Sequence, residues 1–208
     1  PAAQAAKLAE PELLADHVRE APEAVAAGLR TIPANTVRVI RALADTGIDG
    51  VFLAVQNARA GAFTADAYAG FGLPGDIACL EAALGLPFDI LHLHGDGVHH
   101  GLFRRRLPAL LHLEASAGNP PPETLLAGGG LATGPSPWGV LSSGSAVEAF
   151  AEADALLACL KGPGFVLAPG CTLPVYTPEA NIDALVAAAR MSRRDRVGAS
   201  EVGRREGF

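Results

Sequence analysis

Two histidines separated by one residue end a short apolar run, in the sequence ILHLHGDG at residues 90–97. Side chains two residues apart in a β-strand point to the same side, so His92 and His94 are expected to project together from a strand end. A divalent metal holds two adjacent imidazoles in their neutral form and so removes the repulsion between their protonated forms. The pair therefore predicts a metal site. Ordinary hydrogen-bonded strand histidines are the alternative that the same spacing allows.

A cysteine follows another short apolar run, in the sequence PGCTLP at residues 169–174. Together with the two histidines, the Cys171 thiolate would make a three-ligand zinc site with a fourth position open, as in catalytic zinc sites. Glu114 comes two residues after His112 at another predicted strand end, and it is a candidate fourth ligand or a group that orients the ligands. The alternatives are a packing role for Cys171 and a solvated loop carboxylate for Glu114.

Strand-like and helix-like segments alternate along the chain, which favours an α/β fold with parallel strands. The predicted strands cover residues 48–55, 88–94, 109–114, 130–133 and 164–168. The predicted helices cover residues 8–20, 22–46, 64–84, 97–106, 123–127 and 145–161, and a last helix starts with Thr177 as N-cap before Pro178. Pro33 predicts a kink or a break in the second helix.

The number of strands limits the architecture. A closed (β/α)8 barrel needs eight strands and about 250 residues, so the predicted strands would make an incomplete barrel whose N-terminal units are missing. A doubly wound sheet suits the length better, but its glycine-rich phosphate-binding motif is absent from the sequence. We expect one barrel portion over residues 1–191 and a basic, disordered tail over residues 192–208.

The composition excludes several classes of function. The 208 residues include 16 Lys and Arg against 22 Asp and Glu, a net charge of −6, which disfavours a nucleic-acid-binding protein. No apolar run approaches the ~20 residues of a membrane-spanning helix. The three cysteines form no CxxC pair, which fits a reducing compartment. We expect a cytoplasmic protein without nucleic-acid or membrane partners, and the first residue, Pro1, suggests a fragment.

From about Lys7 to Arg190 the chain resembles the C-terminal part of the uroporphyrinogen decarboxylase superfamily. The resemblance implies a (β/α)8 barrel of the TIM type, incomplete here. The missing N-terminal region carries, in the family, arginines and an aspartate that hold the tetrapyrrole. The matching motifs are PEAV at 22–25, GIDGVF at 47–52, LHLHGD at 91–96, GFVLAPGC at 164–171 and TPEANI at 177–182.

The resemblance implies one of two activities. The decarboxylases of porphyrin and haem biosynthesis use no metal, and their serine and late histidine would fall at Gln56 and Gly170. Zinc-dependent methyltransferases, which use corrinoids and thiols such as coenzyme M, carry His-x-Cys where this chain has His92-x-His94, and a later cysteine at Cys171. We therefore expect zinc-dependent methyl transfer between a corrinoid and a thiol. Uroporphyrinogen decarboxylation is the first alternative, and an inactive or partner-dependent barrel fragment is the second.

Further expectations concern the pocket and the partners. Gln56, Asn57 and Tyr68 follow a predicted strand end or lie in the next helix, and they are candidate substrate-binding residues; packing or turn formation is the alternative for each. One zinc ion per chain, a corrinoid co-substrate, and a thiol or a corrinoid protein are the expected ligands and partners, with a porphyrinogen as the alternative tetrapyrrole. A homo-oligomer is a further expectation.

Overall fold

The structure is a computed structural model that describes residues 2–9, 11–103 and 108–205. The chain divides into two compact units, unit 1 (Pro1–Asn119) and unit 2 (Pro120–Phe208), and each is described by itself. None of the helices in the described residues combines the length and the apolar character that a membrane span requires.

Unit 1 consists of helices followed by parallel strands with helices between them. Its strands β1, β2 and β3 are parallel neighbours, and their register aligns Ala54 with His92 and His92 with His112. The elements are α1 (Ala2–Ala9), α2 (Pro11–Glu20), α3 (Pro22–Ala44), β1 (Gly50–Val55), α4 (Ala65–Phe71), α5 (Leu73–Ala82), β2 (Phe88–Leu93), a 3-10 helix (His100–Phe103) and β3 (Leu110–His112).

Helix α3 runs through Pro33, so the predicted break at that residue is absent. Pro33 is buried, and so are Leu29 before it and Ile40 after it. Ile40 packs with Cys79 of α5 in an apolar cluster that also includes Val51 of β1. The burial of apolar residues on both sides of Pro33 offsets the loss of one backbone hydrogen bond.

The glycines after Thr64 divide one predicted helical segment into two helices. Thr64 caps α4 by accepting a hydrogen bond from the backbone N–H of Ala67 at 3.2 Å, and Gly72 separates α4 from α5. Across this break the buried hydroxyl of Tyr68 donates to Oδ2 of the buried Asp76 at 2.5 Å. A Cβ atom at Gly72 would lie 2.6 Å from the Tyr68 ring, so a larger residue does not fit there without displacing the tyrosine.

Unit 2 contains two parallel strands, whose register aligns Leu131 with Phe165 and Thr133 with Leu167. Its core lies between α8 and α9, and Ser145 starts α8 with a capping box to Glu148. The elements are α6 (Pro122–Ala127), β4 (Leu131–Thr133), α7 (Val140–Ser143), α8 (Ala146–Cys159), β5 (Phe165–Leu167) and α9 (Glu179–Arg205).

Helix α9 starts later than the sequence predicts. It starts at Glu179, and the Thr177 hydroxyl is buried without a hydrogen-bond partner, so the predicted N-cap bond is not made. The helix ends at Arg205, and the disordered tail over residues 192–208 stays a prediction. Residues 206–208 lie outside the described residues.

Strands β1, β2 and β3 are parallel neighbours in that order in unit 1, and β4 and β5 are parallel neighbours in unit 2, so the predicted α/β fold is confirmed. Consecutive βα units give such a sequential order, whereas a doubly wound sheet reverses its strand order near the middle. The strands of each unit are therefore consistent with a portion of a TIM-type barrel. Closure into eight strands stays a prediction.

Replacing Tyr68 with phenylalanine tests the link between α4 and α5. The substitution removes the donor to the buried Asp76 carboxyl, and we expect a loss of about 1–3 kcal/mol in the free energy of unfolding. Urea denaturation measures it. Tyr176→Phe is the matched control, because the side chain of Tyr176 is 67% exposed and should contribute little. Equal stabilities of the two variants would contradict the assignment.

The Asp76→Asn variant tests the cost of burying a carboxylate. Burial raises the pKa of Asp76 in the folded state, so its contribution to stability is present at low pH and is lost as the pH rises through that pKa. Asparagine does not titrate, and we expect the stability of the variant relative to the wild type to increase from about pH 4 to about pH 7. Asp66→Asn, at an exposed position of α4, should show no such increase in urea denaturation. A difference independent of pH would contradict the burial argument.

Candidate metal centre

The end of β2 positions both predicted histidine ligands. His92 lies in β2 and is 6% exposed. His94 is the first residue after the strand and is half-buried. The backbone N–H of His94 donates to the carbonyl of Val55 at 3.0 Å, which extends the pairing with β1 by one residue. The two imidazole centroids are 5.9 Å apart in an edge-to-face arrangement. As the spacing predicts, the two side chains lie close together.

A third histidine and a phenylalanine surround His92. His112, aligned with His92 on β3, has its ring centroid 4.7 Å from that of His92. Phe52 of β1 stacks on His92 at 5.6 Å and meets His112 edge-on at the same distance. Only the pairing of β2 with β3 shows that His112 lies beside His92, so the sequence alone does not reveal this contact.

The surroundings keep His92 neutral. Desolvation by burial, followed by the nearby His112 and His94, lowers the pKa of His92 from its usual 6.5 to about 4. A neutral imidazole is the form that binds metal ions.

In unit 2, Cys171 lies just beyond the end of β5. The backbone N–H of Ala168 donates to the carbonyl of Thr133 at 3.1 Å, and that of Gly170 donates to the carbonyl of Pro135 at 3.4 Å. These bonds continue the pairing of β4 and β5 up to the residue before the cysteine. Cys171 is half-buried and forms no disulfide bond within the described residues.

His92 and His94 offer two nitrogen donors at the end of β2 in unit 1, and Cys171 offers one sulfur donor in unit 2. Glu114 is the candidate fourth ligand or ligand-orienting group. It is half-buried, and its backbone carbonyl accepts a hydrogen bond from Asn119.

The predicted substrate-binding residues occupy different environments. Gln56 is exposed and Asn57 half-buried, both just after β1. Tyr68 is 1% exposed and bonded to Asp76, so it contributes to the interior of unit 1 and offers no free surface to a substrate. Tyr68 lies only about one turn into α4, and its local sequence does not reveal that its side chain is buried.

A hydrogen-bonded pair of loops supports the end of β2, and sequence reasoning missed it. Asp96 accepts hydrogen bonds from the Ser116 hydroxyl and from the backbone N–H of Gly118, the latter at 3.0 Å. Asn119, 7% exposed, binds the backbone of the same turn. The only sequence signal is the presence of glycine, aspartate and asparagine, which is typical of any turn.

Comparisons with known proteins bear on the fold. No protein-family model matches the chain, and no curated protein matches its sequence. A solved structure, a methyltransferase from Methanosarcina mazei, aligns with 88% of this chain at a TM-score of 0.73 and 21% sequence identity. The alignment covers 54% of that protein, so this chain spans about half of its length. The chain therefore has the α/β fold of part of this methyltransferase.

The Gly118→Ala variant tests the contact between the loops. A Cβ atom at Gly118 would overlap the Asp96 carboxylate, so one loop must move, at a cost of about 1–3 kcal/mol. Thermal or urea unfolding measures the loss. Gly101→Ala is the matched control, because an added Cβ atom there meets only open space. If both variants were equally stable, the close packing of Asp96 on Gly118 would be refuted.

Proposed function

We propose that the chain forms part of a zinc-dependent methyltransferase, with His92, His94 and Cys171 as the metal ligands. The neighbouring side chains of His92 and His94 at the end of β2, with imidazole centroids 5.9 Å apart, carry the proposal. The fold shared with part of a methyltransferase supports it, and so does the resemblance of the motifs at residues 91–96 and 164–171 to the uroporphyrinogen decarboxylase superfamily.

The donor set fits zinc. Imidazole nitrogen and thiolate sulfur are preferred zinc donors, and His92 is already neutral because of its lowered pKa. Three protein ligands leave one position for a substrate, as in catalytic zinc sites.

The chemistry of the proposed reaction is methyl transfer to a thiol. Zinc, when bound, would supply the Lewis acidity that favours a substrate thiolate at neutral pH. The thiol proton leaves to solvent, and the thiolate sulfur forms a bond to the methyl carbon of a methylated corrinoid. The cobalt–carbon bond breaks, and its electron pair stays on cobalt. Phe52 stacks on the ring of the buried His92.

Decarboxylation of a porphyrinogen is less well supported. The serine and the late histidine of the decarboxylases would fall at Gln56 and Gly170, neither of which has an acidic or basic side chain. Because the chain spans about half of the similar structure, the methyl donor, the thiol and any protein partner belong to the proposal. Metal binding is therefore the first property to test.

Metal analysis of the purified protein should find about one zinc ion per chain. The variants His92→Ala and Cys171→Ala each remove one of three ligands, and we expect each to lower the zinc affinity by more than ~100-fold, beyond the 10–100-fold typical of residues that only orient ligands. Competition with a chromophoric chelator measures the affinity.

Cys159→Ala is the matched control for the cysteine, because Cys159 is also a free thiol but lies exposed at the end of α8. It should bind zinc as the wild type does. A folded wild-type protein that binds no zinc would overturn the proposal, and release of CO2 from uroporphyrinogen by the metal-free protein would support the decarboxylase alternative.

A further inference from the structure

The turn that follows β2 contains two glycines, which by themselves restrict its backbone conformation little. Gly95 and Gly97 both have left-handed backbone conformations, with φ of 88° and 65°. Glycine reaches these angles without strain but also has many alternatives. The residue before this turn is His94, so the direction of its side chain depends on what holds the turn.

Asn119 holds both ends of the turn with a single side chain. Its Oδ1 atom accepts a hydrogen bond from the backbone N–H of Val98 at 3.0 Å. Its Nδ2 atom donates to the carbonyl of Gly95 at 3.0 Å and to the carbonyl of Glu114 at 3.0 Å. The carboxamide thus satisfies three backbone groups, two of the β2 turn and one beyond β3. A carboxamide suits this position because it carries one acceptor and two donors.

Asn119 makes these hydrogen bonds in a buried position. The residue is 7% exposed, so its amide has little access to water and an unsatisfied partner would be costly. Asp96, in the turn after β2, accepts further hydrogen bonds from the Ser116 hydroxyl and from the backbone N–H of Gly118. The turn after β2 and the loop 114–119 are therefore held together at several points.

His94 is consequently fixed on both sides. Its own backbone N–H is bonded to the carbonyl of Val55, and the carbonyl of the next residue, Gly95, is bonded to Asn119. We propose that Asn119 is a positioning residue that holds His94 in the orientation needed to bind a metal ion. This inference rests on the proposed zinc site and adds to it a residue that touches neither metal nor substrate.

The test is a double-mutant cycle read out by metal affinity. Asn119→Ala should weaken Co2+ and Zn2+ binding by about 10–100-fold, as expected of a residue that orients a ligand. In a His94→Ala background the same substitution should cause no further loss, because the residue on which it acts is gone. The absorption spectrum of the Co2+ protein gives a second readout. The thiolate charge-transfer band from Cys171 should persist in Asn119→Ala, while the ligand-field bands change.

Asn181→Ala is the matched control. Asn181 is also buried, and its Nδ2 atom donates to the carbonyls of Leu141 and Gly144 at 3.0 and 2.9 Å, within unit 2. It should leave metal affinity unchanged. Asn119→Asp keeps the acceptor for Val98 but turns an oxygen toward two carbonyl oxygens, so it should weaken metal binding in a folded protein even if the alanine variant unfolds.

The outcomes separate the two proposals. Wild-type affinity in both folded Asn119 variants would overturn the positioning role and leave the zinc site intact. An equal loss of metal affinity on substitution of Asn119 in the presence and absence of His94 would also overturn the positioning role. Unfolding of both Asn119 variants would do the same, because either result assigns Asn119 a purely structural role. A wild-type protein without metal affinity would overturn both proposals.

Discussion

The pairing of β2 between β1 and β3 is the constraint on which the candidate site in unit 1 depends. His92 is aligned with Ala54 on one side and with His112 on the other. Because parallel strands end at one edge of the sheet, this register gathers the imidazoles there and sets Phe52 against two of them. A slip of one residue would turn His92 and His94 to the opposite face, because side chains alternate along a strand.

The strand and the turn after it hold the two histidines by different means. His92 is fixed by the sheet, and its burial keeps it neutral by lowering its pKa to about 4. His94 lies where the ladder of hydrogen bonds ends, next to glycines that accept many conformations. Asn119 of the neighbouring loop and Asp96 of the turn itself supply there the bonds that backbone pairing no longer provides. The sheet thus holds His92, and hydrogen bonds between the turn and the loop hold the backbone next to His94.

Local patterns predict the elements well and the contacts between distant residues poorly. The apolar run and the following glycine turn predict β2 and the common side of His92 and His94, because a strand alternates with a period of two. Tyr68 lies in the helix that follows a strand end, where a pocket residue would also lie. Only the fold shows that its hydroxyl donates a hydrogen bond to Asp76. The role of Asn119 depends on partners 21 to 24 residues away in the turn after β2, and no local signal encodes such pairs.

The second histidine sets the charge of the proposed centre. In the methyltransferases that the sequence resembles, a cysteine stands at the position of His94, and two thiolates neutralise a divalent ion. Two neutral imidazoles and the Cys171 thiolate leave one positive charge instead. A more positive centre favours the thiolate form of a substrate more strongly, but nucleophilicity falls as the thiol pKa falls. The replacement would therefore raise the population of substrate thiolate and lower the reactivity of that thiolate at the proposed centre.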